Sequence, residues 1–197
     1  MIPPGVILAG GRGTRMGGGD KGLRSLHGRP LIAHVIDRLA PQCAGLAINA
    51  NGDPARWAGY GLPVLADDVP DYPGPLAGVL AGLDWAAAQG AQAVVTAAAD
   101  TPFLPRDLVA RLAAAGAFAL AATPDATGCL RAHPTFGLWP VALRDALRAA
   151  LVAGQRRVAG WALDQGAVQV AFDTQPFDPF FNINTPEDLA AAEALRP

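Results

Sequence analysis

Short apolar runs recur along the chain, and between them lie longer stretches in which leucine, valine and alanine return at three- and four-residue spacing. The runs at 4–8, 46–49, 62–65, 93–97, 117–122, 135–139 and 168–172 predict strands. The stretches at 31–40, 76–89, 107–115, 141–153, 158–165 and 186–195 predict helices. Strands that are apolar without alternation are covered on both faces, and helices of ten or so residues between them are long enough to cross over. The pattern therefore predicts an α/β fold: one doubly wound, mostly parallel sheet with helices on both faces. The last helix has a sharp start, with Thr185 as N-cap, Pro186 at the first position, and Glu187 and Asp188 in the first turn. Glycine and proline, 23 and 18 residues, gather between elements where turns need them. No repeat, linker or low-complexity tail interrupts the pattern, so a single domain over 1–197 is expected.

Composition narrows the class. Apolar residues make up 51% and charged residues 16%, which favours a packed globule over disorder. Cys43 and Cys129 are too few for a disulfide framework or a metal cluster, and read as two reduced thiols. The N-terminus lacks a charged leader with a long apolar core, and no run of ~20 apolar residues follows, so a cytoplasmic protein with no membrane contact is expected. A net charge of −2 without interleaved aromatic and basic residues argues against nucleic acid.

Charge is nevertheless concentrated. Arg12, Arg15, Lys21, Arg24 and Arg29 place five of the 15 basic residues in the first 30 positions, against one acid, Asp20. They surround a glycine cluster that follows the first strand, Leu8-Ala9-Gly10-Gly11-Arg12-Gly13-Thr14-Arg15-Met16-Gly17-Gly18-Gly19-Asp20-Lys21-Gly22. Glycines let backbone N–H groups approach an anion and the cations add charge, which is the chemistry of a phosphate cradle. Two familiar cradles fail on residues. A dinucleotide fingerprint would need glycine where Met16 stands, and a P-loop would need Ser or Thr after Lys21, where Gly22 stands.

The loop resembles that of nucleotidyltransferases, and more narrowly that of the molybdenum cofactor guanylyltransferases. That family carries Leu-Ala-Gly-Gly, Arg-Met-Gly and Asp-Lys-Gly, matched by Leu8 to Gly11, Arg15 to Gly17 and Asp20 to Gly22. Asp71-Tyr72-Pro73-Gly74-Pro75-Leu76-Ala77-Gly78, Asp100-Thr101-Pro102, His133-Pro134-Thr135 and Asn182-Ile183-Asn184-Thr185-Pro186-Glu187 match further family segments in order. Gly13-Thr14-Arg15 is shared with sugar-nucleotide enzymes, so a sugar-phosphate pyrophosphorylase or a molybdopterin cytidylyltransferase stays open as the alternative. A non-catalytic nucleotide-binding protein of this fold is a further one, against which Asp100 and Lys21 both speak.

The resemblance implies a nucleotidyltransferase-type, Rossmann-like fold, and Mg²⁺-dependent transfer of GMP from GTP to the phosphate of molybdenum-molybdopterin with release of pyrophosphate. Other molybdenum cofactor biosynthesis proteins and apo-molybdoenzymes are its candidate further partners. Asp100, a carboxylate at a strand end, is the candidate Mg²⁺ ligand; an Asp before Thr-Pro is also an ordinary turn former. Lys21 and Arg15 are candidate triphosphate cations and, with Asp100, the candidate catalytic set. The backbone at Leu8, Ala9, Gly10 and Gly11, with Asn49 and Asp67, would bind the nucleotide. The family pattern favours Asp67 over its neighbour Asp68. Gly74, Gly78, Arg156, Asn182 and Asn184 are the candidate acceptor set: glycine N–H groups at a helix start for phosphate, and two amides two residues apart for a pterin edge. Arg157 beside Arg156 leaves open which of the pair faces the site. His27, His34 and His133 show no metal spacing, and no Ser-His-Asp order or reactive-cysteine context offers a covalent nucleophile.

Overall fold

The computed structural model describes residues 1–10, 20–68 and 74–195; Gly11 and Arg15 of the candidate site lie outside them. In chain order the elements are β1 (Gly5–Leu8), β2 (Ser25–Leu26), β3 (Arg29–Pro30), α1 (Leu31–Leu39), β4 (Leu46–Asn49), β5 (Val64–Leu65), α2 (Pro75–Ala88), β6 (Ala93–Ala98), α3 (Leu108–Ala115), β7 (Ala119–Pro124), β8 (Leu130–Pro140), α4 (Arg144–Val152), α5 (Val158–Asp164), β9 (Val168–Ala171) and α6 (Pro186–Ala194). Seven strands form one sheet in the order β5-β4-β1-β6-β8-β7-β9. β1 pairs in parallel with β4 and β6, β4 with β5, and β7 with β9; β8 alone runs antiparallel, between β6 and β7.

Apolar residues alternate between two cores across this sheet. Ile7, Ile48 and Val95 face a layer with Val35 and Leu39 of α1 and Leu108 and Leu112 of α3. Val6, Ala47 and Val94 face Leu76, Val79, Leu80 and Leu83 of α2, with Leu147 of α4 and Trp161 of α5. Both faces of the sheet are therefore covered, the doubly wound arrangement that the apolar strands predict. Helix α6 stands apart from both layers, closing a third cluster in which Ala192 joins Leu26, Leu31, Phe103 and Ile183.

The largest departure from the sequence pattern is β8. The apolar run predicts a strand at 135–139, whereas the strand spans Leu130–Pro140, and β7 likewise extends to Pro124. The extra residues form the far end of a hairpin. Asp125 closes it, its carboxylate accepting from the backbone N–H groups of Thr127 and Cys129. That end is exposed, so its residues carry no apolar signature. A second hairpin, β2–β3, turns through His27 and Gly28, both with positive φ, before α1 begins. Helix α4 is preceded by a 3-10 turn, Val141–Leu143, where a continuous helix was expected.

The antiparallel insertion is fastened by a buried hydrogen bond. Trp139 Nε1 on β8 donates to Thr96 Oγ1 on β6 at 2.9 Å, and both side chains are fully buried. Gly137 leaves the room this needs, since a Cβ there would lie 2.8 Å from Trp139 Nε1 and from Leu120 Cδ2. Thr96→Val keeps the shape and orphans the indole N–H, which costs about 1–3 kcal/mol. Thermal unfolding of that variant is expected to shift down by about 2–4 °C per kcal/mol lost for a chain of this size.

Candidate active site

Parallel strands that share a direction present their carboxyl ends along one edge, and loops leaving that edge converge. β1 leads into Ala9 and Gly10, β4 ends at Asn49, β5 leads to Asp67 and β6 to Asp100. β1 stays anchored past its last paired residue: Ala9 N donates to the Asn49 carbonyl at 2.8 Å, and Ala99 N to the Leu8 carbonyl at 3.0 Å. Leu8 is half-buried and Ala9 buried, whereas Gly10 is exposed with open space about its Cα.

Lys21 returns to this edge on a one-turn 3-10 helix, Lys21–Leu23. Gly22 is buried beneath it, and a Cβ there would sit 3.1 Å from Ala99 Cβ. Lys21 Nζ lies 3.7 Å from Asp100 Oδ2 and donates to Asn184 Oδ1 at 2.5 Å. The segment 182–184 is tied to the same centre twice more. Ile183 N donates to the Asp100 carbonyl at 3.0 Å, and the Thr101 hydroxyl donates to Asn182 Oδ1. Behind it, Thr185 and Asp188 form a capping box at the start of α6, and Asp188 Oδ2 also accepts from Asn184 N at 2.9 Å. Lys21, Asp100, Asn182 and Asn184 thus converge at one point, although the sequence separates them by up to 163 positions.

Burial pushes the Asp100 carboxyl above its ordinary pKa, and the Lys21 charge pulls it back without cancelling the effect. A carboxylate so placed is an under-compensated hard-oxygen donor. Magnesium takes one or two carboxylates and completes its shell with phosphate oxygens and water, so Asp100 fits the ion's demand.

Beside β4 and β5, the edge carries a net of amides around Asp67. Asn49 is buried, its Nδ2 donating to Asp67 Oδ1 at 2.9 Å and to the Leu65 carbonyl at 3.1 Å. Asn51 meets the other carboxylate oxygen at 2.7 Å and accepts from Asp67 N at 2.9 Å. Asn49 is thereby turned toward Asp67, and the half-buried Asp67 is the more accessible of the two. Helix α2 presses on this net. A Cβ on Gly78 would stand 2.2 Å from Asn49 Oδ1, so only glycine fits. Gly74 is the exposed N-cap of α2, whereas Gly78 is buried against Asn49 and Leu8.

Arg156 lies on the exposed loop between α4 and α5, its N–H bonded to Gln155 Oε1 at 2.9 Å. That loop belongs to the α2 face of the sheet. Asp68 is exposed, and its carboxylate reaches Arg148 at 4.0 Å, so it and Asp67 have different partners. His133 on β8 bonds Thr123 Oγ1 at 2.7 Å and stacks on Phe180, and burial lowers its pKa. Sequence patterns missed Thr101, Asn51 and Arg56. Thr101 adjoins Asp100 and Asn51 lies two residues past Asn49; Arg56 carries no local signal at all.

Comparison with known proteins bears on this arrangement. A family model described as the MobA-like NTP transferase domain matches residues 5–168. A molybdenum cofactor guanylyltransferase from Bradyrhizobium sp. (strain ORS 278) is 56% identical over 200 residues, covering 98% of this chain and 92% of the relative. The chain belongs to the molybdenum cofactor guanylyltransferase family. A second such relative, from Rhodopseudomonas palustris (strain BisB5), is 56% identical over 195 residues, covering 98% of this chain and 93% of its own. Among solved structures, the family fold matches molybdopterin-guanine dinucleotide biosynthesis protein A from Archaeoglobus fulgidus. That match has a TM-score of 0.73 and 25% identity, and covers 96% of each chain. A 4-diphosphocytidyl-2C-methyl-D-erythritol synthase from Anaerococcus prevotii, 14% identical over 98% of this chain and 95% of its own, shares the fold with a TM-score of 0.72.

The raised Asp100 pKa has a consequence that can be measured without substrates. A carboxyl whose folded pKa lies above its unfolded one binds a proton more readily when folded, so its ionisation costs stability as pH rises through that window. Asp100→Asn removes this cost. In EDTA, the variant is expected to melt at or above wild type near neutral pH, with the difference shrinking as pH is lowered. A variant that melts lower at every pH would mark Asp100 as a structural partner of Lys21.

Proposed function

We propose that this protein transfers GMP from GTP to the phosphate of molybdenum-bound molybdopterin, in a magnesium-dependent reaction that yields the guanine dinucleotide cofactor and pyrophosphate. The observation that carries this reading is the Lys21–Asp100–Asn184 centre at the carboxyl edge, in a chain that matches curated guanylyltransferases over almost its full length. An acceptor phosphate oxygen forms a bond to the α-phosphorus of GTP, and the bond from that phosphorus to the bridging oxygen breaks as pyrophosphate leaves. The acceptor phosphate, with a second pKa near ~6, arrives mostly dianionic at neutral pH. No general base is then required, and the protein's work is to align two polyanions and neutralise their charge.

Each described residue has a part in that work. Lys21 meets the triphosphate and the charge that grows on the leaving pyrophosphate. Asp100 would hold the magnesium ion, which supplies Lewis-acid neutralisation of phosphate oxygens when bound. Asp67, steered by Asn49, faces the nucleoside, and guanine offers it N–H donors that other bases do not present in the same way. The backbone of Leu8, Ala9 and Gly10 lies beneath the nucleotide. Asn182 and Asn184 take the pterin side, with Gly74 and Arg156 as further acceptor groups. Asn184 touches both sides, because its oxygen also holds Lys21. The reaction is assigned to the cytoplasm, with other molybdenum cofactor biosynthesis proteins and apo-molybdoenzymes as further partners.

Calorimetric titration with GTP, CTP, ATP and UTP, with and without Mg²⁺, tests the reading. GTP is expected to bind most tightly and to need the ion. Each site group left unpaired by a wrong base costs about 1–3 kcal/mol, so discrimination of tenfold or more is expected. CTP binding as tightly as GTP would replace the guanine assignment with a cytidylyl one. Asp100→Ala is expected to keep its circular dichroism while pyrophosphate release collapses.

A further inference from the structure

A cationic strut crosses the nucleoside side of the site. Arg56 stands on the short 3-10 helix Pro54–Tyr60. Its Nη1 donates to Asp20 Oδ2 at 2.5 Å, its Nη2 to the Asn51 carbonyl at 2.5 Å and its Nε to the Asp53 carbonyl at 3.0 Å. Asp20 immediately precedes Lys21. Asn51 grips Asp67 with both ends of its side-chain amide, and Asp67 in turn accepts from Asn49. A continuous polar chain therefore runs from the residue before Lys21, through Arg56, to the carboxylate and amide on the nucleoside side.

We propose that Arg56 is a positioning residue for the nucleotide. It fixes the distance between the cation that meets the triphosphate and the Asp67 net that meets the nucleoside. The proposal rests on the nucleotide-transfer reading above. Three features support it. The guanidinium is a rigid fork, so one side chain can hold three acceptors from two chain segments in a single geometry, which a lysine ammonium cannot reproduce. The Asp20–Arg56 pair is partly exposed, with side-chain accessibilities of 17% and 36%, and such pairs add little to global stability. Its consequence is therefore local geometry. Finally, both anchors of the strut are close in sequence to candidate site residues: Asp20 immediately precedes Lys21, and Asn51 lies two residues past Asn49.

The experiment compares wild type, Arg56→Gln, Arg56→Lys, Asp20→Asn and the Asp20→Asn/Arg56→Gln double variant by Mg-GTP calorimetry, steady-state kinetics and thermal melting. Loss of a charge-assisted contact is expected to raise the GTP Kd and KM about tenfold in Arg56→Gln. The acceptor KM should stay at the wild-type value and Tm within about 3 °C of it. Arg56→Lys is expected between the two, and the double variant no worse than the poorer single one, because both substitutions cut the same strut. Wild-type nucleotide affinity in Arg56→Gln overturns the proposal. So does equal weakening of both substrates with a lowered Tm, which marks a packing role, and so does additivity in the double variant. If wild type itself prefers CTP, the guanine reading fails, while the same series titrated with CTP still decides the strut.

Discussion

A carboxylate held at the end of a buried strand governs this site. β6 is buried along almost its whole length, so whatever side chain leaves its carboxyl end emerges from low-dielectric surroundings. At Asp100 that makes the negative charge expensive, which is why burial raises its pKa. Isolated charges in such places are neutralised or paired. Lys21 at 3.7 Å goes part of the way, and a demand for positive charge remains at the carboxylate. The Ile183–Asp100 backbone bond and the Thr101–Asn182 side-chain bond tie the segment 182–184 to the strand end that carries this carboxylate.

The rest of the edge follows from how closely helices can approach. α2 lies against β1 and β4 where Gly78 meets Leu8 and Asn49, an approach that any Cβ would block. That contact sets Asn49, Asn49 sets Asp67, and Asp67 is seized from its other side by Asn51. The Asp67 side of the edge thus descends from helix packing, while the Asp100 side descends from strand burial. The antiparallel β8 lies on the other side of β6, wedged in by the Trp139–Thr96 bond, and leaves the β1–β4–β5 half of the sheet uninterrupted.

Much of this was legible in the chain. Apolar runs without alternation located the parallel strands, because burial on both faces removes polar positions from each. Thr185, Pro186 and Asp188 announced α6, and the capping box is there. The ends of β7 and β8 were illegible for the converse reason: a hairpin held by backbone bonds and Asp125 needs no apolar side chains in its exposed half. Asn51 and Thr101 were visible as residues but not as contacts. Arg56 was invisible, since its partner Asp20 lies 36 positions away and no periodicity links them. Local sequence reports burial and turns well; polar nets between loops it does not report.

In-line transfer between two polyanions sets one geometric demand above others: the groups gripping each reactant must be fixed relative to one another. In the proposed transfer, Lys21 is where that demand would be met. On one side its ammonium meets Asn184, on the segment proposed for the acceptor, and Asp100, proposed for the metal. On the other side its chain neighbour Asp20 is clamped by Arg56 to the residues that hold Asp67. On its single 3-10 turn, Lys21 would otherwise have only its own side-chain reach to set where its charge sits. Tied to both halves, it would, in the proposed transfer, place positive charge where the nucleotide's phosphates and the incoming phosphate meet, which is the main thing that a reaction between an ionised acceptor and a triphosphate asks of a cation.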